Sequence, residues 1–178
     1  MKNENALLNG FLWGVGVLLL SAQPAFAATA TAQIRGTAAG SPLAGEVRFE
    51  EVPNGLHIRA EVKNAPPGKH GFHIHETGSC AEAGKAAGGH FNPDGVPHGL
   101  LEKDGFAKAH AGDLGNIEIG SDGGGKLEVT LPNLNLKGGD KYGVAGRAVI
   151  LHEKLDDFGQ PTGNAGGRIG CGVIELTS

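Results

Sequence analysis

Apolar and polar residues alternate with period two along much of the chain, the pattern of strands that bury one face. In Leu56-His57-Ile58-Arg59-Ala60-Glu61-Val62 the apolar side chains share one face and His57, Arg59 and Glu61 share the other. Val47 and Phe49 alternate with Glu46, Arg48 and Glu50, and Leu127, Val129 and Leu131 alternate with Glu128 and Thr130. Arg147 to His152 and Val173 to Leu176 predict further strands. Turn signals separate these runs: Ala39-Gly40-Ser41-Pro42, Pro53-Asn54-Gly55, Pro66-Pro67-Gly68, Asp122-Gly123-Gly124-Gly125 and Lys137-Gly138-Gly139-Asp140. Short strands punctuated in this way predict an all-β antiparallel sandwich or barrel. Two stretches break the alternation, residues 77–125 and 156–170. Long segments without regular structure are uncommon inside compact domains and are usually functional or disordered. Six of the eight histidines lie within or beside these two stretches and mark them as functional loops.

The start of the chain has a different character. Phe11 to Leu20 is an apolar run, too short to span a bilayer, which takes about 20 apolar residues. Ala25-Phe26-Ala27 supplies a small-x-small cleavage pattern. The expectation is a cleaved signal peptide over residues 1–27 and one exported domain over residues 28–178, with no membrane association after cleavage. Composition agrees with the strand pattern. There are 32 glycines in 178 residues, which argues against a helix bundle, since glycine in a helix costs roughly 1 kcal/mol relative to alanine. The net charge of −4 argues against a nucleic-acid partner. Two cysteines, Cys80 and Cys171, enter an oxidising compartment on export. A disulfide between them would stabilise the fold by roughly 4–5 kcal/mol in the chain-entropy view; the alternative is two free thiols.

Chemistry concentrates in the histidines, of which there are eight. In the strand-like run His73-Ile74-His75 the two imidazoles point the same way and can lean onto one metal, with Ile74 facing the core. His90, His98, His110 and Asp113 follow in the first long loop, and His152 ends a predicted strand. An all-imidazole set suits copper, and three imidazoles with one carboxylate suit tetrahedral zinc. Two four-coordinate sites fit the available side chains if one imidazole is shared. His90, lying in sequence between the His-x-His pair and the His98/His110/Asp113 group, is the natural bridge. Single loop histidines are otherwise often only solvent-exposed.

Four motifs, taken in order, resemble a known family. Gly71-Phe72-His73-Ile74-His75-Glu76, His90-Phe91-Asn92-Pro93, Gly112-Asp113-Leu114-Gly115-Asn116 and the run from Gly163 to Ile174 are similar to the copper/zinc superoxide dismutases, from about Thr31 to Leu176. The chain resembles an exported, bacterial-type member. The resemblance implies an eight-stranded antiparallel Greek-key β-barrel with a metal-binding loop and an electrostatic loop. It implies one copper ion on His73, His75, His90 and His152, and one zinc ion on His90, His98, His110 and Asp113. It pairs Cys80 with Cys171. It makes Asp156 the carboxylate that holds the outer nitrogens of His73 and His98. It sets Arg168 beside the copper as the group that draws in a small anion, with Thr162 narrowing the channel opposite, and it gives His90 and Arg168 the catalytic roles. His70 resembles a structural histidine of the family, and His57 is expected on an exposed strand face. The implied activity is dismutation of superoxide to oxygen and hydrogen peroxide in antioxidant defence, most simply in the periplasm, with secretion as the other destination.

The sequence also departs from the eukaryotic pattern. His75 to Cys80 is shorter and Cys80 to His90 longer, so the eukaryotic dimer contact does not carry over and a homodimer, if formed, would use another surface. Only Phe158-Gly159-Gln160-Pro161 separates Asp157 from Thr162, so steering is expected to rest more on Arg168, with Lys154 or Lys85. The rival reading is a non-enzymatic copper carrier or buffer on the same barrel. Glycines at Gly88-Gly89, Gly112, Gly115 and 163–172 are expected where the backbone needs positive φ or close approach to aim side chains at the metals.

Overall fold

The computed structural model describes residues 27–177, so the predicted export signal lies, apart from Ala27, outside the described residues. Eight strands form: β1 (Thr29–Gly36), β2 (Ala44–Val52), β3 (Gly55–Lys63), β4 (Gly68–His75), β5 (Asp113–Ile119), β6 (Gly125–Leu131), β7 (Ala148–His152) and β8 (Arg168–Thr177). They close into a barrel in the order β1-β2-β3-β6-β5-β4-β7-β8, every pair antiparallel. Closure removes the free edges that would otherwise template aggregation.

The predicted alternation is visible in β3, where Leu56, Ile58, Ala60 and Val62 point inward and Arg59 and Glu61 outward. Phe49, Phe72, Ile34, Leu56, Ile58, Ile74, Ile117, Leu131, Leu151 and Ile174 fill the interior, while Ile150 packs with Ala87, Ala148 and Cys171 in a separate small cluster. Each full burial of such an aliphatic or aromatic side chain contributes roughly 1.5–3 kcal/mol. All five predicted turns fall between strands.

The stretch 77–125 is less loop-like than expected, because β5 lies inside it. Its sequence, Asp113-Leu114-Gly115-Asn116-Ile117-Glu118-Ile119, opens with residue types depleted in strands, which hides the strand from a pattern search. What remains are two long connections, 76–112 between β4 and β5 and 153–167 between β7 and β8. The first contains one short 3₁₀ turn, Lys85–Ala87, and one short helix, α1 (Leu101–Asp104).

These connections lie over the outer face of β4 and β7, so both strands are buried on both sides. His70 to His75 and Ala148 to His152 are buried throughout. Register shifts occur in β4–β5 between Gly71 and His73, and in β7–β8 between Leu151 and His152. Such bulges re-aim side chains, and each lies beside a histidine.

Three backbone hydrogen bonds form a closed cycle that seats the first connection on the barrel. Ile74 N–H donates to Gly112 O, Gly112 N–H to Phe91 O, and Phe91 N–H to Ile74 O, each at 2.9 Å. A Cβ at Gly112 would lie 2.1 Å from Ile74 O, so a glycine is required for this approach. The cycle places His73, His75, His90 and Asp113 as immediate chain neighbours of its three members. A further tie comes from Arg147, whose guanidinium lies 3.5 Å from the Phe91 ring centroid and donates to Glu76 O and Gly143 O.

Cys80 and Cys171, 91 positions apart in sequence, form a disulfide. It fixes the 80–88 segment to β8. Replacing both cysteines by serine is expected to lower the melting temperature by roughly 8–16 °C, from about 4 kcal/mol of lost loop constraint. Calorimetry of the double variant against the oxidised protein measures it.

Candidate metal centre

Three kinds of element bring the site residues together. Strand β4 supplies His73 and His75 on one face, β7 supplies His152, and the start of β5 supplies Asp113. The first connection supplies His90, paired to His75 by an isolated antiparallel bridge, together with His98 and His110. The second connection supplies Asp156. All eight of these side chains are buried.

They assemble into two sets sharing one imidazole. One nitrogen each from His73, His75, His90 and His152 converge to within 4.8 Å of one another, and so do ligand atoms of His90, His98, His110 and Asp113. Within the first set, His75 Nε2 and His152 Nε2 are 3.3 Å apart. Within the second, Asp113 Oδ1 lies 2.8 Å from His90 Nδ1 and 3.1 Å from His110 Nδ1, and Asp113 Oδ2 lies 2.8 Å from His98 Nδ1. His90 Nδ1 thus faces the second set, leaving Nε2 for the first.

The outer nitrogens are held by protein acceptors. His73 Nε2 and His98 Nε2 both donate to Asp156, at 2.8 Å and 2.9 Å. His75 Nδ1 donates to Gly88 O at 3.0 Å. An imidazole that carries its proton on the outer nitrogen presents a lone pair on the inner one, the arrangement that metal sites use. The third cluster, His73, His98 and Asp156, uses only these outer nitrogens and is therefore the support of the two sets and not a separate site.

A direct test of fit comes from two orphaned atoms. His73 Nδ1 and His98 Nδ1 are buried and have no hydrogen-bond partner. Buried nitrogens without partners are costly. His98 Nδ1 is close to Asp113 Oδ2 yet not aligned with it as a hydrogen bond, as expected of two donors converging on a common cation. The residues therefore fit a metal in each set.

Electrostatics prepares the donors. Burial lowers His75 to about 2, His90 to about 4 and His152 to about 3, so all three are neutral, the form that ligates. Burial also lowers His73. His98 differs: burial pulls it down, but hydrogen bonds and charge from Asp113 and Asp156 outweigh that and raise it to about 9. Burial pushes both carboxylates up, and the histidines hydrogen-bonded to them hold them well below the usual range. Backbone N–H groups of Gly99 and His110 also donate to Asp113 Oδ2.

Of the remaining predicted residues, Arg168 and His70 adjoin this core through His152. Arg168, half-buried at the β7–β8 bulge, pairs in register with His152 and donates to the carbonyls of Gly84, Lys85 and Gly88. Thr162 is exposed in the turn after Gln160. His70 is buried and spans His152 O and Pro66 O. His57 is only partly exposed, because it pairs with Glu128 on the outer face of the barrel. Lys85 and Lys154 are exposed.

Two supports were not visible in the sequence. Asn116 on β5 holds the main chain of Asp156 by both atoms of its amide: Asn116 Nδ2 donates to Asp156 O at 3.0 Å, and Asp156 N–H donates to Asn116 Oδ1 at 2.8 Å. Gln160 does the same for His98. Their partners are 40 and 62 positions away, and no local pattern announces such a contact.

A closed barrel that buries two histidine-rich donor sets around a common imidazole defines a metalloprotein with paired sites. The copper/zinc superoxide dismutase family model matches residues 43–174. The chain is 42% identical over 141 residues to an extracellular copper/zinc superoxide dismutase of Drosophila melanogaster, covering 74% of this chain and 75% of that protein. It is 39% identical over 139 residues to one from Caenorhabditis elegans, covering 74% of this chain and 61% of that longer protein. Among solved structures, the crystal structure of the clock protein EA4 superposes with a TM-score of 0.75 at 32% identity, covering 89% of this chain and all of that one. The chain belongs to the copper/zinc superoxide dismutase family, and it is an enzyme of that class.

Gly163 tests how tightly the support is built. A Cβ there would lie 1.9 Å from Asp156 Oδ1 and 2.7 Å from His98 Nε2, at a φ of +75°. Gly163→Ala is expected to displace Asp156 and weaken metal retention by about 10–100-fold, the usual effect of losing an outer support. Competition with a chromophoric chelator measures it.

Proposed function

We propose that the domain dismutes superoxide, converting two superoxide anions and two protons into one molecule of oxygen and one of hydrogen peroxide. Copper would be held by His73, His75, His90 and His152, and zinc by His90, His98, His110 and Asp113. When bound, copper supplies reversible one-electron chemistry and zinc a fixed positive charge. The observation that carries this reading is the shared, buried His90 between an all-imidazole set and a set completed by a carboxylate.

The chain's own residues then do four things. Arg168 places a cation at the edge of the first set. Burial lowers its pKa, yet a guanidinium stays charged at any neutral pH. In a chain of net charge −4 this makes a local attraction for a small anion. Its three carbonyl acceptors fix the guanidinium, so that it orients the anion as well as drawing it in. Thr162 bounds the approach on the other loop. His90 holds a proton at Nε2 in one half of the cycle and delivers it to the departing peroxide, and its Nδ1 stays anchored on the Asp113 side. Asp156 keeps His73 and His98 in the ligating tautomer through both halves.

Export is supported by the disulfide and by the extracellular relatives. The site would therefore act outside the cytoplasm, in the periplasm or as a secreted enzyme, against superoxide arising there.

Two measurements test this. Protein carrying one copper and one zinc per chain, quantified on the sample assayed, is expected to dismute superoxide rapidly. A fully loaded but inactive sample would instead indicate a copper carrier. Arg168→Glu is expected to reduce the rate by at least ~10-fold at low ionic strength and to weaken or invert its salt dependence, because repulsion replaces attraction. An unchanged low-salt rate would remove the steering role.

A further inference from the structure

The 156–164 segment is short and closed on itself. Gly163 N–H donates to Gly159 O, Asp157 N–H to Gly163 O, and Phe158 N–H to Asp156 Oδ1. Three of its side chains meet one residue of the other connection, His98. Asp156 takes the ring nitrogen Nε2. Phe158 lies nearly parallel to the ring, at 20° with centroids 6.3 Å apart. Gln160 takes the main chain: His98 N–H donates to Gln160 Oε1 at 3.0 Å, and Gln160 Nε2 donates to His98 O at 2.8 Å.

The last contact has a specific chemistry. A residue in an antiparallel ladder exchanges both of its main-chain hydrogen bonds with the residue opposite. His98 lies outside any strand and has no such neighbour. A carboxamide offers one donor and one acceptor from a single planar group, so it can replace that neighbour. A carboxylate of the same shape cannot, since it would set a second acceptor against the His98 carbonyl. The positions of Nδ1 and Nε2 depend on both ring rotation and the place of the main chain. Asp156 fixes the first, and nothing in the ring contacts fixes the second.

We propose that Gln160 is a positioning residue for the zinc-side set, holding the His98 main chain so that Nδ1 stays aimed at Asp113, and thereby tying the loop that carries Thr162 to the zinc site. The inference rests on the assignment of zinc to His90, His98, His110 and Asp113. It predicts a selective effect. The copper-side residues His73, His75 and His152 make no contact with Gln160 among the described hydrogen bonds, so loosening the His98 main chain alters the second set first.

The test compares the wild-type protein with Gln160→Ala, Gln160→Met and Gln160→Glu, each loaded with copper and with cobalt(II) or zinc on the zinc side. Met keeps the length without the hydrogen bonds, and Glu keeps the shape without the donor. All three variants are expected to release zinc to a chelator about 10-fold faster or more, to shift the cobalt d–d bands, and to leave the copper EPR parameters unchanged. In metal-free Gln160→Ala and Gln160→Met the His98 amide is expected to lose hydrogen-exchange protection while barrel amides keep theirs. Unchanged release and exchange in all three variants would overturn the proposal. So would parallel changes in the cobalt and copper spectra, which would mark general loosening. If the wild-type protein takes up no metal on the zinc side, the zinc assignment fails, and the exchange arm still decides whether Gln160 holds His98. Should one variant not fold, the near-isosteric Gln160→Glu carries the comparison.

Discussion

Two buried carboxylates govern the architecture. Asp113 and Asp156 are 0% and 1% exposed, and an ionised carboxylate so deep in a protein is strongly unfavourable unless it is paired and hydrogen-bonded. Imidazole and backbone donors around them meet that requirement. Asp156 receives two imidazole N–H groups and a backbone N–H; Asp113 receives two backbone N–H groups and faces three imidazoles. The imidazoles are thereby fixed in tautomer and direction, and inner nitrogens are left pointing at each other. That arrangement gathers unpartnered ring nitrogens in each donor set, which a bound cation would satisfy.

The two connections that carry these groups cannot rely on a ladder, so other devices substitute for it. The Ile74–Gly112–Phe91 backbone cycle seats one connection on β4. Carboxamides act as single rungs, Asn116 on Asp156 and Gln160 on His98, and Asn92 closes the turn before His98 by exchanging two hydrogen bonds with Val96. The disulfide and the Arg147–Phe91 stack close the rest. Glycine enters where backbones or ligands approach too closely for a Cβ, at Gly112 and Gly163. At these two positions glycine answers crowding around the site, while Gly40, Gly139 and Gly146 sit in open turns at positive φ.

The legible part of the sequence was the part governed by local rules. Period-two alternation marks β2, β3 and β6, and apolar runs mark β7 and β8, because one face or both meet a hydrophobic interior. Strand β5 escaped, since Asp113, Gly115 and Asn116 serve the site at the expense of strand propensity. His-x-His was legible as a shared direction, while the division of ligands and the Cys80–Cys171 pairing came from resemblance to a family. Gln160 and Asn116 were illegible, because a carboxamide that replaces a ladder neighbour looks like any polar loop residue until the chain brings its partner to it.

One carbonyl links a histidine of the first donor set to Arg168. Gly88 O accepts from His75 Nδ1, which sets the tautomer that directs Nε2 inward, and it also accepts from Arg168. The carbonyl belongs to the 80–88 segment, which the disulfide holds to β8 three positions beyond Arg168. Arg168 itself pairs across the bulge with His152, whose Nε2 faces that of His75. The His75 imidazole and the Arg168 guanidinium are therefore placed by the same short segment and cannot shift independently. The Arg168 guanidinium and the first donor set are thus tied to one another by covalent and hydrogen-bonded geometry.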